Sequence, residues 1–277
     1  MIGENIARLR KKQNVKQKEL AEKVGLSVQG LIKWEKGSVE IPYSGLSKVA
    51  EVLGVPLDYL VKGEPARVIS FINSKGGNTK SSLLRQIAMG LITLDEGTRV
   101  LCVDTDPQQT LMMYAENGVH ERIAVEAFDS RSIAVSEKYR KLIDEQKYAY
   151  DYILVDTAGY VAVTDLLTSI IASSDVVVPI TLNETALGPT ISSISNIAEV
   201  RDSLSLPTRI FGIKNRVNRS VKESKMPFEL DGYLGLKLLE NYLPDSIRYQ
   251  RDTNFSDTDV SEEVQLMARE LLVGLSV

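Results

Sequence analysis

The sequence predicts an α/β protein: a doubly wound, mostly parallel sheet preceded by a small all-α domain. Three observations carry that prediction. Apolar, β-branched runs ("RVISFI", "TRVLCVD", "DYILVD", "DVVVPI" and "RIFGIK") recur from residue 67 onward, separated by segments long enough for crossover helices. Their apolar character is continuous rather than alternating, as in strands covered on both faces. The first 63 residues carry short helical patterns instead, and "VKGEPA" at 61 to 66 interrupts them with Gly, Glu and Pro. The domains are therefore read as 1–63 and 67–277, joined by a linker at 64–66.

Composition narrows the function classes. The chain has 277 residues, 43% hydrophobic and 25% charged, enough for a sizeable core. No run approaches the roughly 18 apolar residues of a membrane span. The N-terminal "MIGENIARLRKKQ" is charged where a signal peptide needs an apolar stretch. Cys102 is the only cysteine, which excludes an intramolecular disulfide and suits a reducing compartment, so a cytoplasmic location is expected. With His120 as the only histidine, zinc and iron sites are not expected. The net charge of −4 is uneven: residues 1 to 65 hold 11 Lys and Arg against 8 Asp and Glu, or +3, which leaves −7 for the rest. A small DNA-facing module on an acidic body fits that division.

In the first domain, "QKELAEKVGLSVQGLIKWEKG" at 17 to 37 reads as two short helices around a tight turn. Gly25 supplies the positive φ that ends the first, and Ser27 caps the second. Leu20, Ala21, Val24, Leu31 and Trp34 share an inner face, leaving Gln17, Gln29 and Lys33 outside. Outward amides and ammonium groups at a helix start suit the major groove, since Gln pairs with adenine and Lys reaches guanine or phosphate.

Residues 2 to 63, including "WEKG" and "LSKVAEVLGV", resemble the helix-turn-helix family of lambda repressor and Cro. The resemblance implies that residues 28 to 36 enter the major groove. Val28, Gln29, Gly30 and Lys33 would lie nearest the bases and Gln17 near a phosphate.

The second domain opens with "VISFINSKGGNTKSS", a strand, a glycine-rich turn and a helix start, which together surround an anion with backbone N–H groups and a helix dipole. Gly76, Gly77, Asn78, Thr79 and Ser82 belong to this cradle. Lys80 is placed against the β and γ phosphates, and the Ser81 hydroxyl where Mg²⁺ is coordinated. Thr79 stands where glycine is usual. If that position needs positive φ, threonine costs about 1 to 2 kcal/mol there. Slow hydrolysis, stimulated by DNA or a partner, is the expectation.

Lys75 makes "KGGNTKSS" resemble the deviant Walker A motif, K-G-G-x-G-K-[ST], of the ParA and MinD ATPases, P-loop NTPases by fold. "RVLCVDTDPQQT", "YDYILVDTAG", "GIKNRVNRS" and "LPDSIRYQRD" are similar to that family's later motifs, in the same order. The resemblance implies ATP and Mg²⁺ as ligands and an ATP-dependent homodimer in which Lys75 reaches the partner's nucleotide. Asp156, ending an apolar strand, would hold a Mg²⁺ water. Asp106 would orient or activate the attacking water, with Asp104 as its supporting carboxylate. Asn215 would meet the adenine, and the segment with Pro244 and Asp245 would enclose it.

Arg209, Lys214, Arg216, Arg219, Lys222 and Lys225 cluster in one stretch, with Arg248 and Arg251 in another. The resemblance suggests that they bind DNA without sequence preference in the ATP-bound dimer, Arg216, Arg219 and Arg248 foremost. The pair in "LMMY" is expected to pack on the sheet. The C-terminal "EEVQLMARELLVGLSV" lacks the basic face of a membrane-anchoring helix and is read as structural. The function expected is DNA partition by a ParA-type ATPase associated with the nucleoid and assisted by a centromere-binding ParB-like protein. Operator binding by the first domain would add autoregulation. The competing class is a repressor whose second domain senses nucleotide or dimerises.

Overall fold

The computed structural model describes residues 2–74, 79–159, 164–181, 184–217, 230–246, 249, 253–256 and 259–276, with backbone only at 79 and 184–186. The chain forms two compact units, Met1–Ala66 and Arg67–Val277.

The first unit contains α1 (Ile2–Lys12), α2 (Gln17–Val24), α3 (Val28–Glu35), α4 (Tyr43–Leu53) and α5 (Leu57–Lys62). The α2–α3 turn follows from local chemistry. Gly25 takes φ 78° and its N–H closes onto the α2 carbonyls, and Ser27 Oγ accepts the Gly30 N–H. Ile6, Leu9, Leu20, Leu31, Trp34, Val49 and Leu60 fill a single core. The Trp34 ring lies where a β-carbon on Gly45 would stand, so the absent side chain lets α3 and α4 close on each other. A buried ion pair braces this core: Arg10 Nε donates to Glu35 at 2.6 Å and its Nη1 to the Val15 carbonyl at 2.9 Å.

The second unit runs β1 (Arg67–Phe71), α6 (Thr79–Leu94), β2 (Val100–Asp104), α7 (Thr110–Glu116), β3 (Ile123–Ala127), α8 (Val135–Gln146), β4 (Tyr152–Asp156), α9 (Asp165–Ser173), β5 (Asp175–Thr181), α10 (Glu184–Ser203), β6 (Ile210–Asn215), β7 (Leu236–Leu238) and α11 (Glu262–Ser276). Among the described residues the seven strands form one parallel sheet, ordered β3-β2-β4-β1-β5-β6-β7. The chain moves to one side of β1 through β2 and β3 and to the other through β5, β6 and β7. The crevice at the C-terminal end of β1 is thus the switch point where α/β sheets bind ligands.

The sequence reading had five of these strands. It lacked β3, a half-exposed edge, and β7, only three residues long. Helix α11 packs on α6, with Val264, Met267, Ala268 and Leu271 buried. At its C-terminal end, Arg67 donates to the Leu275 carbonyl and Arg209 to the Gly274 and Leu275 carbonyls, which suits the negative end of the helix. No described helix is long and apolar enough to cross a membrane.

Candidate functional site

Strand register assembles the site. Phe71 and Asp104 both pair with Asp156, so β1, β2 and β4 end at one level and deliver two carboxylates to one edge. The chain leaving β1 is held from β5 and α10. Asn73 Nδ2 donates to the Pro179 carbonyl at 2.6 Å, the Ser74 N–H to Ser193 Oγ at 2.8 Å, and Ser74 Oγ to the Pro189 carbonyl at 2.9 Å. Sequence reasoning missed these α10 and β5 contributions, which lie more than a hundred residues from the loop they hold.

Lys75, Gly76, Gly77 and Asn78 lie outside the described residues, as do Arg219 and Arg248. Thr79 is the first residue of α6, where right-handed backbone is the rule, so the left-handed penalty does not arise. Lys80 and Ser81 follow in the first turn, both buried. Burial draws the Lys80 pKa down from its ordinary value, while Asp156 and Asp106 hold it up.

Ser81 Oγ donates to Asp156 Oδ2. The other oxygen, Oδ1, is buried and has no hydrogen-bond partner among the described residues. Burial pushes the Asp156 pKa up to about 7, against the opposing pull of the Ser81 hydroxyl and the Lys80 charge. A buried carboxylate oxygen with nothing to accept from is costly unless something else approaches it.

Asp104 is spent on the backbone. Its Oδ2 accepts the Leu111 N–H at 2.8 Å and the Met112 N–H at 3.3 Å, and its Oδ1 accepts the Asp106 N–H at 3.1 Å. Burial raises its pKa and these amides lower it. The carboxylate therefore holds the start of α7 and the loop bearing Asp106. Asp106 is partly exposed, with Oδ1 accepting the Gln108 N–H at 2.9 Å.

On the other side of β1, Asn215 ends β6 opposite Thr181 and is buried. The chain after it pairs with the segment carrying Pro244 and Asp245. Val217 bridges Pro244, the Leu243 N–H donates to the Lys214 carbonyl at 3.1 Å, and the Asp245 N–H to the Val217 carbonyl at 2.9 Å. Ser82 Oγ reaches the Tyr249 carbonyl at 3.4 Å, which joins α6 to the same region.

Of the basic stretch, Arg209, Lys214 and Arg216 are described, while Lys222, Lys225 and Arg251 lie outside the described residues with Arg219. Arg209 makes a two-pronged ion pair with Asp175, at 3.0 and 2.8 Å. Lys214 is buried in β6 with its ammonium 5.8 Å from the Tyr242 ring centre. Both leave the proposed DNA surface, because each already has a structural partner. Arg216 stays exposed, at φ 56° just past β6. The "LMMY" reading also needs correction: Leu111 and Tyr114 pack inward, but Met113 is 52% exposed.

In the first unit, Val28, Gln29 and Lys33 are exposed along α3, with Gly30 half-buried among them. Gln17 is half-buried, and its Nε2 donates to Glu35 Oε2 at 2.6 Å, extending the Arg10 ion pair to the start of α2.

The helix-turn-helix family model matches residues 6–60 and an AAA domain model matches 66–128. An uncharacterized HTH-type transcriptional regulator of Bacillus subtilis strain 168, YqaE, is 30% identical over 106 residues, covering 34% of this chain and 90% of YqaE. The chain belongs to the helix-turn-helix family. This helix-turn-helix protein also shares its larger fold with solved structures. The MinD cell division protein of Aquifex aeolicus superposes with a TM-score of 0.57 at 18% identity, over 75% of this chain and 98% of MinD. A putative plasmid partition protein from Borrelia burgdorferi B31, solved bound to AMPPNP, gives 0.56 at 18% identity, over 76% and 99%. The second unit thus has the ParA/MinD fold, joined to a lambda-repressor-like helix-turn-helix.

Proposed function

We propose that this protein is an ATP-dependent DNA partition ATPase whose helix-turn-helix domain binds an operator and regulates its own operon. The observation that carries the proposal is Asp156 Oδ1, buried beside Ser81 and Lys80 and without a hydrogen-bond partner among the described residues. A hard cation prefers such oxygens and usually keeps part of its water, so Ser81 and Asp156 fit Mg²⁺, with Asp156 acting through a water. Bound there, Mg²⁺ would neutralise charge on the β and γ phosphates.

The chain's own groups supply the rest. Lys80 sets a desolvated positive charge against the phosphates, aided by the backbone N–H groups of residues 76 to 82. Asp106 orients the attacking water, and Asp104 positions the Asp106 loop through its three amide contacts. Asn215, Pro244 and Asp245 flank the adenine. Lys75 reaches the nucleotide of a second copy, so ATP closes a homodimer. Arg216, Arg219 and Arg248 then contact DNA phosphates without sequence preference. A centromere-binding ParB-like partner stimulates hydrolysis, and the protein works in the cytoplasm at the nucleoid.

A second reading has its own support: YqaE is named a transcriptional regulator. In it, the second unit senses nucleotide and tunes a repressor. Phosphate release with and without DNA separates the two. Turnover that DNA stimulates supports partition; nucleotide binding without turnover, coupled to altered operator affinity, supports the repressor.

A further inference from the structure

We infer that Ser193 of α10 is a positioning residue for the phosphate loop: it holds Ser74, the residue before Lys75, and so sets the aim of that lysine toward a second copy. The inference rests on the proposed ATP-dependent dimer and names a side chain on which its closure depends.

The backbone ladder that carries β1 stops short of the loop. Ile72 donates its N–H to the Val177 carbonyl at 3.0 Å, and from there side chains take over the attachment. Asn73 is buried, and its Nδ2 reaches the Pro179 carbonyl at 2.6 Å and Thr190 Oγ1 at 3.3 Å, which ties it to β5 and α10 together. Ser74 is tied to α10 twice. Its N–H donates to Ser193 Oγ at 2.8 Å and its hydroxyl to the Pro189 carbonyl at 2.9 Å.

Pro189 and Ser193 stand one helical turn apart, so a single turn of α10 fixes both the backbone and the side chain of Ser74. A serine inside a helix commonly spends its hydroxyl on the carbonyl four residues back. Ser193 Oγ does lie 2.9 Å from the Pro189 carbonyl, but it also accepts from outside the helix and lies 3.0 Å from Ser74 Oγ. It therefore bridges α10 to the loop. Because Ser193 is buried, removing its hydroxyl takes away the acceptor of the Ser74 N–H without readily admitting water in its place.

The loop has a second anchor at its other end, where α6 begins and Ser81 meets Asp156. Lys80 and Ser81 are set by that anchor, whereas Lys75 follows Ser74 directly in the sequence. Loosening Ser74 therefore acts on the lysine that reaches the partner's nucleotide and spares the groups that hold the protein's own.

The test uses the full-length protein with Mg²⁺. Sedimentation equilibrium with a slowly hydrolysed ATP analogue reads pairing, and calorimetry with ADP reads nucleotide affinity without a second copy. Ser193→Ala removes the acceptor, and Ser193→Cys fills the space with a poor one. Each should weaken one loop's grip about fivefold, the scale of one hydrogen bond. A symmetric interface carries the change twice, so the dimer dissociation constant should rise about 25-fold, with ADP affinity within about twofold of the parent. Thr208→Ala is the control. That hydroxyl is also buried and donates to the Ile171 carbonyl at 2.8 Å, just before β6, at the end of the sheet opposite the loop. Its loss should lower the melting temperature about as much as the Ser193 variants do, yet leave pairing at the parent's level.

A parent protein that does not pair with the analogue overturns the dimer reading and this inference with it. A parent that pairs, with both Ser193 variants pairing equally well, overturns the inference alone. So does an equal loss of pairing in Thr208→Ala, or a loss of ADP affinity as large as the loss of pairing, since either makes Ser193 a general support of the fold.

Discussion

Ser81 Oγ donates to one oxygen of Asp156 and leaves the other, Oδ1, buried with no hydrogen-bond partner among the described residues. These two residues lie 75 positions apart, brought together because β4 pairs with β1 in register. The unmet oxygen makes the ligand-free site electrostatically incomplete.

Proton release should therefore depend on pH. Burial raises the Asp156 pKa to about 7, so much of the ligand-free protein carries that proton at pH 6 and little does at pH 8. A raised carboxyl contributes stability that is full below the unfolded value, near 4, and is lost as pH rises through about 7. Cation binding favours the ionised form and reverses that loss. Binding of Mg²⁺ with nucleotide should release about one proton at pH 6 and almost none at pH 8. Calorimetry in two buffers of different ionisation enthalpy measures this, and equal release at both pH values contradicts the assignment.

Lys80→Ala removes the buried ammonium that faces the phosphates. ATP affinity should fall about 10- to 100-fold, the scale of charge-assisted contacts, with hydrolysis lost. Unchanged affinity and turnover would refute the phosphate site.

Glu35→Ala strands Arg10 inside the first unit. The loss should be about 3 kcal/mol or more, because a buried charge is left without its partner. Gln17→Ala removes one donor from Glu35 and should cost about 1 kcal/mol. Thermal unfolding monitored at Trp34, the only tryptophan, reads both. Equal effects from the two variants would show that the ion pair is not the brace.

Arg209→Ala and Arg216→Ala should separate stability from DNA binding. The first loses the Asp175 pair and the contacts to the end of α11, costing about 1 to 2 kcal/mol without changing affinity for unrelated DNA. The second should weaken that affinity and lower its salt slope by about one, leaving the melting temperature nearly unchanged. The reverse pattern would return Arg209 to the DNA surface and remove Arg216.

Local chemistry was the most legible part of the sequence. Gly25 and Ser27 announce their turn because the left-handed residue and the cap act within three positions of themselves. The central strands are equally plain, since burial on both faces leaves runs such as "VLCVD" without polar interruption. Edge strands are harder to see. β3 is half-exposed and its Glu126 breaks the apolar signal, while β7 exists through its register with β6. Charge was misread for a related reason: Arg209 and Lys214 look free in sequence, but Asp175 and Tyr242, each about 30 residues away, already hold them. Within the site, the family motifs named Lys80, Ser81 and Asp156, whereas the Ser193 and Pro179 contacts that hold the loop carry no sequence signal.

Sedimentation of the full-length protein with Mg²⁺, comparing ADP, ATP and a slowly hydrolysed analogue, tests the central claim most directly. The account predicts monomer with ADP, and with ATP or the analogue a dimer that binds unrelated DNA. A protein that stays monomeric in every nucleotide, or pairs equally well without any, contradicts it.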